Sequence, residues 1–320
     1  MKSQEKVTAF RNGEIKRNRG KGNMGMDTCT LCPRMCGVNR AAGEKGYCGM
    51  DATIRAARAA LHMWEEPCIS GTRGSGAVFF SGCSLRCIFC QNFEIAEGNC
   101  AKEISGERLS EIFLELQEQG AANINLVTAA HYVPAVIESL KKAKAQGMDL
   151  PVIYNSSGYE RVETVQMLEE VVDVWLPDFK YMDSKLAFAY SRAKDYPEVA
   201  RAAIREMMKA AGTCAYDEDG YIQKGVIVRH LILPGHTKNS IAVLDELYGT
   251  YGDDLTISLM NQYTPLPQVW NIPDLNRRVT KREYEKVLDH ALDLGITQGF
   301  FQEGGTAKES FIPLFDYEGL

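Results

Sequence analysis

The sequence predicts an α/β fold, a partial (β/α)6 barrel of the TIM type with a short N-terminal cysteine-rich metal-binding region. Three observations carry this. After Gly74, short apolar runs alternate with longer amphipathic stretches, the pattern of parallel βα units. Six such units fill a stretch of about the length, ~250 residues, in which a complete barrel places eight, so the barrel is open on one side. Ahead of it, a stretch dense in cysteine, glycine and arginine has too few aliphatics to bury a core of its own.

Residues 1–25 are basic and polar and read as a flexible leader, with Met24 or Met26 as alternative natural starts. Residues 26–73 form the cysteine-rich region. The barrel follows over 74–304, and 305–320 form a C-terminal tail. Six strands are expected: 76–81 (GAVFFS), 123–128 (NINLVT), 150–155 (LPVIYN), 171–178 (VVDVWLPD), 225–233 (GVIVRHLIL) and 255–261 (LTISLMN). Helices are expected between and after them over 107–118, 133–146, 161–170, 240–248 and 281–294. Residues 182–221 are too long for one crossover and carry a helical stretch near 198–209, so they read as a helical insertion.

Composition narrows the function. The chain has 320 residues and a formal net charge of −6, which argues against a nucleic-acid partner. No apolar run approaches the ~20 residues of a membrane span, and the N-terminus has no secretory core. A cytoplasmic protein is expected. Ten clustered cysteines in such a protein read as metal or redox ligands rather than disulfides.

Ligands of parallel α/β barrels sit at the carboxyl ends of the strands. The loop after the first strand carries Cys83, Cys87 and Cys90, spaced C-x-x-x-C-x-x-C with no fourth cysteine adjacent. Thiolates hold iron-sulfur clusters, and a cubane closed by protein alone needs four; three leave one iron vacant. A structural zinc site also needs four ligands and fits poorly.

The segment GSGAVFFSGCSLRCIFCQN, residues 74–92, resembles the cluster loop of radical S-adenosylmethionine (SAM) enzymes, and the likeness runs from about Gly71 to Gln302. It is nearest to an uncharacterised branch related to the activating enzymes of pyruvate formate-lyase. The resemblance implies a [4Fe-4S] cluster whose open iron is chelated by SAM, reductive cleavage to a 5'-deoxyadenosyl radical, and a low-potential electron donor, flavodoxin or ferredoxin. It places Phe89 beside the adenine. Asn155 and Ser156 of NSSG become ribose or adenine contacts, and Asp178 and Lys180 of PDFKYMD contacts to the methionine end. Asp178 and Lys180 share strand parity, and an inward salt bridge between them would also be structural.

In VIVRHLILPG adjacent side chains face opposite ways, so Arg229 and His230 do not both line the lumen; the resemblance implies that Arg229 faces SAM, and His230 reads as packed and hydrogen-bonded. After the sixth strand, Asn261 and Tyr263 share parity, with Gln262 opposite, and Asn261 is a further SAM contact. Activases usually carry Gly-Gly-Glu after the second strand. Here Thr128-Ala129-Ala130-His131 stands instead, so the ammonium of SAM is expected to meet backbone carbonyls and the Thr128 hydroxyl, with His131 nearby.

Cys29, Cys32, Cys36 and Cys48 make a complete set of four for zinc or an auxiliary [4Fe-4S] cluster. Cys68, Cys100 and Cys214 read as ordinary thiols. His62, Glu65 and Glu66 form a tight group that reads as a solvated acidic turn rather than a metal or substrate site. Three functions remain: activation of a glycyl-radical enzyme, modification of a peptide or small metabolite, and a non-catalytic iron-sulfur or zinc protein. An open iron makes little sense for the last.

Overall fold

The computed structural model describes residues 26–297, 299–302 and 313–320; the leader at 1–25 lies outside the described residues. The elements in chain order are β1 (Arg55–His62), α1 (Pro67–Ser70), β2 (Ser75–Phe80), α2 (Phe93–Ala96), β3 (Lys102–Glu103), α3 (Gly106–Glu118) and β4 (Ile124–Val127). Then come α4 (Val133–Ala145), β5 (Val152–Ser156), α5 (Val162–Leu168), β6 (Val174–Pro177), α6 (Ser184–Ser191) and α7 (Tyr196–Ala211). The chain continues through β7 (Ala215–Tyr216), β8 (Ile222–Leu231), α8 (Thr237–Tyr251), β9 (Thr256–Met260), α9 (Lys281–Asp293) and β10 (Gly299–Phe301).

The strands form one sheet in the order β10-β9-β8-β6-β5-β4-β2-β1-β3, with β7 paired to β8 off this path. Every pair from β2 to β10 along this path is parallel, while β1 runs antiparallel to β2. Parallel strands here are buried on both faces, and β2, β4 and β6 accordingly contain only buried residues. Helices α3 and α4 lay Leu109, Ile112, Phe113, Leu116, Val136 and Leu140 against the same core. Local signals fix their starts: Ser105 caps α3 by accepting from Arg108 N, and Thr280 with Glu283 closes a capping box on α9.

All six expected strands are present, within a few residues of their expected ends, and the insertion folds as α6, α7 and β7. The sheet takes in more than the sequence reading drew. Residues 55–62, assigned to the cysteine-rich region, form β1 on the sheet, and β10 adds a seventh parallel strand. Residues 313–320 run beside β1, where Ala59 N donates to Glu318 O at 2.9 Å and Tyr317 N to Ala57 O at 3.0 Å. Among the described residues no pairing joins β10 to β1 or β3. No helix among the described residues is long and apolar enough to cross a membrane.

Candidate radical-generating site

A single cavity of about 700 Å³ collects side chains from the carboxyl ends of β2, β4, β5, β6, β8, β9 and β10. It lies within the size range of small-molecule sites. Strand alternation explains its lining. Arg229 and Leu231 of β8, and Ser258 and Met260 of β9, face it, whereas the intervening His230 and Leu259 are buried among the helices.

Cys83, Cys87 and Cys90 all line this cavity, on the loop that leaves β2. Gly82 opens the loop at φ +90°, where a Cβ would meet Met50 Cγ at 2.4 Å and Cys48 O at 2.9 Å, so only glycine fits. Each sulfur has a donor. Leu85 N donates to Cys83 Sγ at 3.4 Å, Ser191 Oγ to Cys87 Sγ at 3.0 Å, and the Asn92 backbone to Cys90. The Lys180 ammonium faces Cys87 and Cys90 and is paired to Asp178 at 2.5 Å. Burial works against its charge, but Asp178 and the two sulfurs outweigh burial and hold its pKa above the usual lysine range. Burial pushes the Cys87 and Cys90 thiols up, and coordination to iron reverses this by deprotonating them. Three donors and one cation around three thiols fit an anionic cluster. No group of three or more His, Cys, Asp or Glu among the described residues is arranged to hold a metal ion, and a cubane is a different case because it binds each thiolate to a separate iron.

Thr128, Asn155, Ser156, Asp178, Lys180 and Arg229 also line the cavity, as does Phe89, whose ring packs at 6.2–6.4 Å on Tyr181, Tyr190 and Tyr263. Thr128 has φ +62°, uncommon for a β-branched residue, and its N–H donates to Asn155 O at 2.9 Å. Gly158, at φ +72°, lets Asp178 O approach to 2.0 Å of where a Cβ would stand, so the NSSG turn positions Asp178 through close backbone contact.

Two expected contacts stand elsewhere. His131 lies outside the cavity. After Thr128 the chain enters a 3-10 turn that buries the ring, with Nε2 2.7 Å from Ser81 O, and burial lowers its pKa to about 3. Asn261 is also absent from the lining. Strand β9 turns Ser258 and Met260 to the cavity, Gln262 continues that parity beyond the strand end, and Asn261 falls on the opposite one. Tyr263 is buried, donating to Leu275 O at 2.7 Å.

His230 is packed as expected, with Nδ1 2.6 Å from Phe179 O and Nε2 2.9 Å from Ser240 Oγ. The reading of Glu65 and Glu66 as a solvated turn is corrected. Both carboxylates are buried in the cavity and share the Arg229 guanidinium, whose Nε donates to Glu66 Oε1 at 2.9 Å. Asn125 Nδ2 donates to Glu65 at 2.9 Å, and Asn155 Nδ2 lies 3.4 Å from the same oxygen. Burial would raise the Glu66 pKa, but Arg229 and Ser258 outweigh it and hold it low. Sequence distance hid this cluster, since two adjacent glutamates carry no sign of a partner on a distant strand.

Residues 70–193 match a family model described as a 4Fe-4S single cluster domain. An uncharacterised protein of Methanocaldococcus jannaschii is 29% identical over 270 residues, covering 82% of this chain and 74% of its own. Among solved structures, HydG, a maturase of the [FeFe]-hydrogenase, matches at 16% identity and TM-score 0.50 over 72% of this chain and 52% of its own. SuiB of Streptococcus suis bound to its precursor peptide SuiA matches at 13% identity and TM-score 0.45 over 70% of this chain and 47% of its own. The chain thus spans about half the length of the HydG and SuiB chains. The HydG likeness bears on the fold. The three thiols on the β2 loop thus lie within the match to a 4Fe-4S single cluster domain, and the chain shares its fold with HydG.

Proposed function

We propose that Cys83, Cys87 and Cys90 hold the cluster, and that the cavity beneath it binds SAM and presents a substrate C–H bond. When bound, the cluster supplies the electron that splits SAM into methionine and a 5'-deoxyadenosyl radical, which takes a hydrogen atom from the substrate. The observation that carries this is the convergence of the three sulfurs with Lys180, Asp178, Asn155 and Ser156 on one cavity.

Lys180 offers a fixed positive charge for the SAM carboxylate, and Asp178 holds that ammonium in place. Asn155 and Ser156 offer side-chain hydrogen bonds to the ribose or adenine, and Phe89 an apolar face for the adenine. Thr128 brings its hydroxyl and its strained turn to the end of β4, where the ammonium of SAM is received. Arg229 is committed to Glu65 and Glu66, which supports a role in shaping the cavity wall rather than in holding SAM directly.

The substrate read first is a glycine Cα of a glycyl-radical enzyme. The cavity is lined by His62, Phe79, Phe300, Phe301 and Pro313 where, among the described residues, no pairing joins β1 to β10, which supports entry of an extended loop on that side. Two buried carboxylates on one guanidinium favour a second reading, a peptide or small metabolite bearing a cationic group. The electron comes from a low-potential donor, flavodoxin or ferredoxin.

Anaerobically reconstituted chain, given dithionite and SAM, tests the reading. The expected product is 5'-deoxyadenosine, lost in Cys83→Ala; a wild-type chain that yields none overturns it. A glycyl-radical EPR signal on a co-incubated glycyl-radical protein decides between the two substrate readings.

A further inference from the structure

The N-terminal cysteines converge. Gly37 N donates to Cys29 O and Cys29 N to Val38 O, both at 3.0 Å, so the backbone at Cys29 lies beside the residues that follow Cys36. Met35 N closes a turn on Cys32 O at 3.0 Å. A Cβ on Gly46 would stand 3.0 Å from Cys36 Sγ and 3.7 Å from Cys48 Sγ, so the later loop brings Cys48 to the same point. The charges of Cys29 and Cys48 act on Cys32, and those of Cys29 and Cys36 on Cys48.

Charge balance supplies an independent observation. Arg40 is 1% exposed, and among the described residues no carboxylate pairs with it. Its Nη atoms donate to His131 O and Asp51 O, its Nε has no partner, and its charge acts on Cys48. A buried guanidinium without a carboxylate requires another anion. Four metal-bound thiolates supply one.

We propose that Cys29, Cys32, Cys36 and Cys48 hold a second [4Fe-4S] cluster, closed by four thiolates. The geometry points to a cubane rather than zinc. A tetrahedral zinc draws four sulfurs to Zn–S distances of ~2.3 Å around one point, and no such group exists among the described residues. The same holds at Cys83, Cys87 and Cys90, which lie within the 4Fe-4S domain match, so among the described residues neither cysteine set is drawn around one ion. Assembly of the reducible 2+ cubane takes two ferrous and two ferric ions with four sulfides and releases the four thiol protons.

This second centre is built onto the radical-generating loop. Arg34, between Cys32 and Cys36, donates through Nε to Ser84 O at 2.9 Å and through Nη2 to Ser191 O at 2.8 Å. Ser84 lies between Cys83 and Cys87, and Ser191 is the donor to Cys87. Met50 and Cys48 O pack on Gly82. One arginine side chain separates the two ligand sets.

The test is metal content in the full chain and in a Cys83→Ala/Cys87→Ala/Cys90→Ala variant, both reconstituted anaerobically with ferrous and ferric iron and sulfide. The expected result is roughly eight irons in the first and four in the second, at four per cubane, with a reducible cubane EPR signal retained. A folded variant that holds zinc and no iron, or no metal, overturns the proposal. Should the variant precipitate, Mössbauer areas and zinc content of the wild-type chain decide: two cubane components in equal amount support it, and one cubane alone or with zinc overturns it. The variant lacks the radical site by construction, so its iron content is read independently of whether the wild-type chain cleaves SAM.

Discussion

Ser191 Oγ donates a hydrogen bond to Cys87 Sγ at 3.0 Å, and Tyr181 Oη lies 2.8 Å from the same hydroxyl. With Ser191 donating to sulfur, Tyr181 donates to Ser191, a two-step relay ending on the Cys87 sulfur, proposed above as a cluster ligand. Hydrogen bonds to ligand sulfur favour the reduced, more negative cluster and raise its potential. Ser191→Ala removes the last donor. The cluster potential is expected to fall by tens of millivolts, about one tenfold step in equilibrium at ~59 mV for one electron. Protein-film or EPR-monitored redox titration measures this, and an unchanged potential would show that the relay does not act on the cluster.

Lys180 and Asp178 stand two residues apart on the segment after β6, and their ion pair at 2.5 Å faces two cluster cysteines. Lys180→Met keeps the aliphatic stem and removes the charge. Loss of one charge-assisted hydrogen bond to a carboxylate costs about 1.5–3 kcal/mol, so SAM affinity is expected to fall roughly ten- to a hundredfold. Asp178→Asn keeps the cation but frees its side chain, and a smaller loss is expected. Equilibrium binding of SAM to the oxidised protein reads both. Equal affinity in Lys180→Met would remove this residue from the SAM site.

That three cysteines would meet at one cavity was legible because the information is local: fixed spacing directly after an apolar run. The six parallel strands were legible for the same reason, since strands buried on both faces are near-continuous apolar runs. Strand β1 was not. Its sequence, RAARAALH, is dominated by alanine and arginine, good helix formers, and it becomes a strand because β2 offers its edge. Asn261 was misjudged because it was given the inward parity of the strand, which Ser258, Met260 and Gln262 hold instead. His131 was misjudged because the left-handed turn at Thr128 has no sequence signal; threonine rarely adopts it. The Glu65–Glu66–Arg229 cluster joins residues more than 160 positions apart, and only the curl of the sheet brings them together.

Arg229 is the cation that Glu65 and Glu66 share, and all three side chains are at most 12% exposed. Removing one partner of a buried ion cluster leaves uncompensated charge, at about 3–5 kcal/mol. Arg229→Met is therefore expected to lower stability by about that amount, measured by urea unfolding of the apo chain at neutral pH. Adding Glu65→Gln and Glu66→Gln to Arg229→Met is expected to restore part of the loss, because neutral amides cost less to bury. If the triple variant is no more stable than Arg229→Met, the carboxylates are not what the arginine compensates.

His230 couples stability to pH. Burial lowers its pKa from 6.5 to about 4 in the folded chain, while both ring nitrogens are engaged by Phe179 O and Ser240 Oγ. The unfolded chain therefore binds the extra proton first as pH falls. The stabilisation is present above pH 6.5 and is lost progressively as pH falls through 4. A difference of about 2.5 pH units corresponds to about 3 kcal/mol at ~1.36 kcal/mol per unit. His230→Asn is expected to lower stability at pH 8, through lost hydrogen bonds, but to flatten the decline between pH 6.5 and 4. His131, whose pKa is lowered by burial to about 3, continues to contribute an acid-side slope in that variant. Unfolding free energies measured at pH 8, 6.5, 5 and 4 for both chains resolve this, and parallel curves would show that His230 titrates as freely in the folded chain as in the unfolded one.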